Sequence, residues 1–211
     1  MVVLCHLCAH TSLSALSTAG IPIPILIALF LGIGTGATIL VSQFQGAGDP
    51  DSIRRTVQTG NSFLMAASVP VTIIGVLIAP GVLRFMNVPP DVMDQAVDYL
   101  RIIFLGSIAM LGYNMNAGIL RGIGDSRSPL KFLMVACGVN IVLDLLFVAV
   151  FHWDVAGVAI ATVMAQFVAW IYSIFYIKKH YPEMGLKVFR FALDKGLLKH
   201  MVRLGLPLGF N

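Results

Sequence analysis

The chain has 211 residues, of which 58% are hydrophobic and only 11% are charged. A soluble globular domain carries roughly 25% charged residues, so this composition excludes an ordinary soluble enzyme. At ~20 residues per membrane crossing plus loops, the length allows about five to seven membrane spans. The composition therefore predicts a membrane protein that crosses the bilayer several times.

The formal net charge is +4, and its distribution argues against a nucleic-acid partner. No Asp, Glu, Lys or Arg precedes Asp49, and the later basic residues form short clusters between apolar runs. A nucleic-acid-binding surface needs a continuous basic patch or stripe, which this pattern does not supply. We therefore expect the lipid bilayer, and no nucleic acid, as a partner.

Five apolar segments follow one another along the chain, separated by short polar stretches. Each is long enough to cross a hydrocarbon core ~30 Å thick, so we interpret each as a transmembrane helix. The segments are residues 18–44, 57–82, 102–120, 130–151 and 155–177.

The five segments divide the chain into predicted domains. Residues 13–177 form the transmembrane part, and residues 1–12 precede it. Residues 178–200 alternate apolar side chains with Lys and Arg, a pattern typical of an amphipathic connector at the membrane interface. Residues 201–211 begin a further apolar segment that is too short to span, so we expect the chain to be truncated there.

The Lys and Arg residues lie almost entirely in alternate loops, which predicts the orientation. Twelve of the 14 basic residues fall after the first segment, after the third segment and in the connector. We expect the protein in the cell (inner) membrane, and the positive-inside rule places these loops on the cytoplasmic side. The first segment then starts outside, so we expect a preceding helix to be missing.

One ionisable side chain is predicted inside the membrane. Asp144 is the only acidic residue within the five segments, and Asn140 lies one turn before it on the same helix face. Their oxygens could bind a cation or form a proton-sensitive cluster, because burial favours the neutral carboxyl group and a bound cation favours the ionised one. The alternative interpretation is that both residues are polar groups that hold neighbouring helices together.

Other polar residues within the segments are less distinctive. Each of them could line a cavity or form an interhelical hydrogen bond. These residues are Gln58, Asn61, Asn114, Asn116, Thr162 and Gln166. We also considered a metal site at Cys5 and Cys8 with His6 and His10, but no second ligand pair of suitable spacing follows. An incidental apolar N-terminus is the alternative that we favour. We predict no metal site beyond the one Na⁺ that Asp144 could bind.

The sequence contains no motif of an enzyme. No segment pairs a Ser or Cys nucleophile with a His, and the HExxH, GxSxG and phosphate-binding GxxxxGK[ST] motifs are absent. We therefore predict neither catalysis nor ATP hydrolysis by this chain, and no cofactor other than a coupling ion.

Three stretches resemble the multidrug and toxic compound extrusion (MATE) family of secondary antiporters. They are LSALSTAGIPIPILIALFLGIGTGATILVSQFQGAGD, AGILRGIGDSRSPLKF, and VNIVLDLLFV followed by VAGVAIATVMAQ. The second is the most specific and is similar to the loop between the fourth and fifth helices of the family. The resemblance starts near residue 13 and leaves residues 1–12 unmatched.

The resemblance implies an all-α fold and a place for each segment in it. The five segments correspond to helices two to six of the six-helix N-terminal lobe, and residues 201–211 to the start of helix seven. The family's second lobe and helix one would then lie outside the chain. In some prokaryotic members an Asp of helix one, an Asn and an Asp of helix five and a Thr of helix six bind the coupling ion. Asn140, Asp144 and Thr162 match the last three.

The function that this resemblance implies is efflux of small organic, often cationic, compounds by H⁺ or Na⁺ antiport. Two alternatives remain open from the sequence. One is a lipid-linked oligosaccharide flippase of the related superfamily, although no Lys or Arg lies in the interior of the five segments to hold an anionic headgroup; Lys131 stands at the edge of its segment. The other is a membrane fragment that transports nothing by itself.

Overall fold

The computed structural model describes residues 22–86, 88–151, 153–186 and 193–209. The side chains of residues 22–31, 33 and 206–209 are outside this description. Within these ranges the elements are helices: α1 Pro22–Gly46, α2 Pro50–Phe85, α3 Pro90–Leu105, α4 Ser107–Gly122, α5 Arg127–Asp144, α6 Asp154–His180 and α7 Lys195–Gly209. A π-helical segment, Leu145–Val150, continues α5, and a short 3-10 helix, Pro182–Met184, follows α6. The predicted all-α fold is confirmed.

Helices α2 and α5 begin with the same local device. A glycine with positive φ, Gly48 (φ 67°) or Gly124 (φ 95°), turns the chain, and an aspartate follows it directly. The Asp49 and Asp125 carboxylates each accept a hydrogen bond from the backbone N–H three residues later, at 3.0 Å in both cases. Each bond satisfies one of the free N–H groups of the first helical turn; Asp49 is the N-cap of α2, while Asp125 lies one residue before the N-cap of α5, Ser126. Two short loops with the pattern Gly-Asp-x-x-Ser therefore reverse the chain at the same end of the bundle.

The predicted span 102–120 is longer and bent in the structure. It comprises α3 and α4, which meet at Gly106 with an angle of 49°. Thr72 of α2 donates a hydrogen bond to the Phe104 carbonyl at 3.0 Å and lies 2.9 Å from the Ser107 hydroxyl oxygen, so a neighbouring helix supports the broken backbone. A methyl group on Gly106 would overlap Val163 of α6, which shows that the bend brings these helices into close contact.

Small residues bring helices α1 and α4 together. Added methyl groups on Gly118 and Gly122, one turn apart on α4, would meet Thr38 and Val41 of α1. Gly36 on the other side of α1 lies equally close to the α7 backbone. Close approach over glycine is a common way to pack helices in a membrane, where apolar burial gives little driving force.

The outer surface of the bundle is apolar, as a lipid-facing surface must be. Large side chains are exposed along α2, α5 and α6, among them Ile73 and Leu77, Leu133 and Val142, and Phe175. Among the described residues, Pro50–Phe85, Arg127–Val150 and Asp154–His180 are long and apolar enough to cross a membrane, and the bent pair α3–α4 would be a fourth span. The predicted first span lies in α1, of which many side chains are outside the description.

The connector meets the loop before α5 and the first turns of α2 at one end of the bundle. The Tyr181 hydroxyl donates a hydrogen bond to Asp125 at 3.2 Å, and the Gln58 amide donates one to the Gly185 carbonyl, also at 3.2 Å. Met184 and Leu186 are buried in the core. Helix α7 begins at Lys195, within the predicted connector 178–200, and Asp194 caps it by accepting from the N–H of Gly196. We call this end of the bundle, which holds the clusters of Lys and Arg, the basic end.

Candidate cation or proton site

The site predicted at Asp144 lies between α5 and α6, toward the end of the bundle opposite the basic end. Asp144 is the last residue of α5, and its side chain is only 6% exposed. One of its carboxylate oxygens, Oδ1, is buried without a hydrogen-bond partner in the described part of the chain. Buried polar atoms are usually paired, so an unpaired carboxylate oxygen needs an explanation.

Asn140 and Thr162 lie together, one helical turn before Asp144 along α5. The Asn140 side-chain amide donates to the Thr162 hydroxyl oxygen at 3.5 Å, a long hydrogen bond that links α5 to α6. Asn140 is one turn before Asp144, so the two side chains project from the same face of α5. The structure thus joins Asn140 to Thr162, and helix spacing puts the Asp144 carboxylate on the same face of α5 as this amide–hydroxyl pair.

Apolar side chains and a tyrosine close the site toward the end opposite the basic end. Val148, one turn after Asp144, forms a buried cluster with Val155 and Val158 at the start of α6. Tyr99 of α3 packs against this cluster and lies within electrostatic reach of the Asp144 carboxylate. No sequence signal pointed to Tyr99, because its place depends on how α3 packs against α6.

The helix changes its winding immediately after Asp144. Residues Leu145–Val150 form a π-helix, which carries one residue more per hydrogen-bonded turn than an α-helix. Such segments are rare and occur frequently at functional sites. The π-helix follows directly on the only acidic residue of the predicted spans, a coincidence that the apolar sequence LLFVAV did not predict.

The chemistry of the three residues fits a hard cation or a proton. Carboxylate, amide and hydroxyl oxygens are the ligands that hard cations prefer, and a carboxyl group in an apolar environment is readily protonated. Within the described ranges, no group of three or more His, Cys, Asp or Glu side chains is placed to hold a metal ion. The Cys5, Cys8, His6 and His10 cluster lies outside the described residues.

Two of the residues predicted as cavity-lining, Gln58 and Asn61, line separate cavities in the described part of the chain. Gln58 lies at the basic end, and its amide bonds the Gly185 carbonyl, while Asn61 bonds the Val57 carbonyl of its own helix. Asn114 likewise bonds a carbonyl of its own helix, that of Met110, at 2.8 Å. These three side chains therefore hold the backbone or a neighbouring loop.

The remaining two, Asn116 and Gln166, face the interior between α4 and α6. Asn116 is 1% exposed and donates to the Ser173 hydroxyl at 2.8 Å, but its Oδ1 atom has no partner within the residues described. The Oε1 atom of Gln166, one turn after Thr162, is also buried and unpartnered. Both atoms continue the polar environment of Asp144 toward the basic end.

The aspartates of the two capped loops differ from Asp144 in having complete sets of partners. Hydrogen bonds from the side chain and the backbone N–H of Ser52 lower the pKa of Asp49 below its usual range. Burial alone would raise the pKa of Asp125, but hydrogen bonds from Ser128 and from the Tyr181 hydroxyl outweigh it and lower the pKa. Both loop carboxylates are therefore held in the charged form.

Comparison with known proteins gives the family. The MatE family model matches residues 1–146, so the match includes residues 1–12, which the resemblance in the sequence left out. The probable multidrug resistance protein YoeA of Bacillus subtilis is 31% identical over 194 residues, covering 89% of this chain and 42% of that protein. The probable multidrug resistance protein YpnP of the same organism is 29% identical over 175 residues, covering 83% of this chain and 39% of that protein.

A solved structure agrees with these relatives. The inward-facing conformation of a multidrug resistance MATE family transporter of the MOP superfamily superposes with a TM-score of 0.87 at 25% identity, over 94% of this chain and 46% of the other. The chain thus spans about half the length of the proteins that it matches. From the family match, the relatives and the shared fold, we conclude that the chain belongs to the MATE family, whose members are multi-pass membrane transporters and not enzymes.

Proposed function

We propose that this chain is the ion-coupling lobe of a secondary transporter that exports small organic, often cationic, compounds in exchange for H⁺ or Na⁺. The observation that carries the proposal is the buried Oδ1 atom of Asp144, which has no hydrogen-bond partner among the described residues and lies one helical turn from the Asn140–Thr162 pair. A carboxylate that served only to pack helices would be fully hydrogen-bonded, because an unpaired buried charge is costly. An exchangeable proton or cation accounts for the open position.

The coupling step follows from this chemistry. When a proton or Na⁺ occupies the site, the charge of Asp144 is neutralised and α5 and α6 can pack closely around it. When the ion leaves, the carboxylate needs water or other donors, which favours a different arrangement of the two helices. An ion can shift the equilibrium between two conformations only by its difference in affinity for them, and this change in charge supplies such a difference.

The numbering and orientation of the helices belong to the same proposal. We assign α1, α2, the bent pair α3–α4, α5 and α6 to helices two to six of the family lobe, and α7 to the start of helix seven. We place the basic end in the cytoplasm of the cell (inner) membrane, following the positive-inside rule. Helix one and the second lobe are the parts that would complete the transporter.

The proposal is tested by efflux of a cationic dye from cells that express a full-length version, in which helix one and a second lobe accompany this chain. We expect Asp144→Asn to lower the rate of ion-coupled efflux by about tenfold or more, since the neutral amide cannot exchange a proton and is a weaker cation ligand. Expression and membrane insertion should persist. Asp125→Asn is the matched control, because Asn also caps helices and efflux should continue.

The outcomes separate the alternatives left by the sequence. Unchanged efflux in Asp144→Asn would refute the ion site. Movement of a lipid-linked oligosaccharide, with no dye efflux in the unaltered protein, would favour a flippase. Transport assays in vesicles with the 211-residue chain alone show whether the lobe acts without its partners.

A further inference from the structure

A stripe of polar groups runs along one face of α6 from the Asp144 site to the basic end. Thr162, Gln166, Trp170, Ser173 and Tyr176 are spaced four, four, three and three residues apart, so they share a helix face. The stripe covers roughly 21 Å at 1.5 Å per residue. Hydropathy did not reveal it, because only one polar group occurs in each turn.

Polar side chains from α4 and α5 meet this stripe along its length. Asn140 of α5 bonds Thr162, and Asn116 of α4 bonds Ser173 at 2.8 Å. Farther toward the basic end, the Ser128 hydroxyl of α5 donates to the Tyr176 hydroxyl at 2.7 Å. We call the stripe on α6 together with these side chains of α4 and α5 the polar column. It lies inside the contact between the three helices.

Unpartnered polar atoms are concentrated along this column. Five buried side-chain polar atoms in the described part of the chain have no hydrogen-bond partner, and four belong to the column or adjoin it. They are Asp144 Oδ1, Gln166 Oε1, Trp170 Nε1 and Asn116 Oδ1. Three of these side chains, Asp144, Trp170 and Asn116, are more than nine-tenths buried. Buried polar groups of this kind are the usual binding positions of internal water.

The two ends of the column differ in polarity. Beyond Asp144, away from the basic end, Val148, Val155 and Val158 form an apolar cluster, and Tyr99 is the titratable group that faces the carboxylate from α3. At the other end the column reaches Ser128, whose backbone N–H bonds the ionised Asp125. Polar groups therefore extend from Asp144 toward the basic end, while apolar side chains lie on the opposite side.

We propose that this polar column is the path by which protons pass between Asp144 and the basic end of the bundle. It deepens the proposed function and rests on it. A proton leaves the Asp144 carboxyl, which becomes a carboxylate. The proton is then relayed by water molecules and hydroxyl groups, each of which accepts one proton and releases another. The water is held by Gln166, Trp170 and Asn116, and the hydroxyls are those of Thr162 and Ser173. The proton is released to solvent at the basic end.

The test measures how fast the proton on Asp144 exchanges with solvent. The 211-residue chain is reconstituted in lipid in Na⁺-free buffer, and the infrared C=O band of the protonated Asp144 carboxyl is assigned by its absence in Asp144→Asn. A change from H₂O to D₂O shifts this band at the rate of exchange. We expect Gln166→Leu and Ser173→Ala each to slow the shift by about tenfold or more, since each removes one group of the relay.

Two control variants keep the test specific. Gln95→Leu removes a buried polar group on α3 that has no partner among the described residues and lies off the column, and Ser68→Ala removes a buried hydroxyl that bonds its own helix. Both should exchange at the unaltered rate. If Gln166→Leu cannot be purified as a folded protein, Ser173→Ala alone decides the result.

The unfavourable outcomes are distinguishable. The protonated Asp144 band could be present and shift as fast in Gln166→Leu and Ser173→Ala as in the unaltered chain. That result would overturn the path and leave the proposed function standing. Slowing in Gln95→Leu alone would also overturn it and place the route on the other side of Asp144. No protonated Asp144 band at any pH would overturn both the path and the proton-coupled form of the proposed function.

Discussion

Asp125 and Asp144 are both partly removed from solvent, yet their environments are opposite. Asp125 lies in a loop at the basic end and accepts hydrogen bonds from Ser128 and Tyr181. Asp144 lies between two helices, and its Oδ1 atom has no partner in the part of the chain that the structure describes. Partners thus distinguish a carboxylate that stabilises the fold from the one that we propose exchanges an ion.

The same contrast applies to the surroundings of the two residues. The local sequence Gly-Asp-x-x-Ser creates the partners of Asp125 within one turn, and it occurs again at Asp49. The surroundings of Asp144 come from three helices: Asn140 lies on its own helix, Thr162 on the next helix α6 and Tyr99 on the more distant α3. A structural cap is thus encoded locally, while the candidate ion site requires the assembled bundle.

The largest effect on stability is expected at the loop carboxylate. Asp125→Ala removes the helix cap and the partner of Tyr181, and should cost roughly 0.5–2 kcal/mol of unfolding free energy. Thermal unfolding of the purified chain in detergent measures this loss. Asp125→Asn, which can still cap the helix, should recover most of it; equal loss in both variants would show that the cap does not account for the effect.

Low pH should remove the difference in unfolding free energy between the unaltered chain and Asp125→Ala. The pKa of Asp125 is lower in the folded chain than in the unfolded chain, so its stabilisation is complete above the unfolded value, about 3.9, and declines as the pH falls through the folded value. Melting curves of both proteins at neutral pH and at successively lower pH should therefore converge. A constant difference down to the lowest pH would contradict the charged cap.

The smallest effect on stability is expected at Asp144. Asp144→Asn keeps the shape of the side chain and removes a buried charge that has an unpartnered oxygen, so the free energy of unfolding should change by less than about 0.5 kcal/mol or rise. The same melting experiment at neutral pH checks this result. A loss as large as that of Asp125→Ala would mean that Asp144 is a structural group after all.

The sequence predicted much of this arrangement because its strongest signals are local. Long apolar runs marked α2, α5 and α6, and one-turn spacing placed Asn140 and Asp144 on one helix face. The bend at Gly106 was missed because Asp91, Asp94 and Asp98 lower the hydropathy of α3, although its other face is buried against α2. The contact of Tyr99 with the site and the bond from Tyr181 to Asp125 depend on packing between distant segments, which periodicity does not encode.

The central claim is that Asp144 releases an ion when an organic cation binds. Ethidium is added to a full-length version of the protein in weakly buffered detergent solution, and the H⁺ or Na⁺ released is measured with a pH indicator or with radioactive sodium. We predict release of about one ion per ethidium bound in the unaltered protein and none in Asp144→Asn. Equal release from both proteins would contradict it.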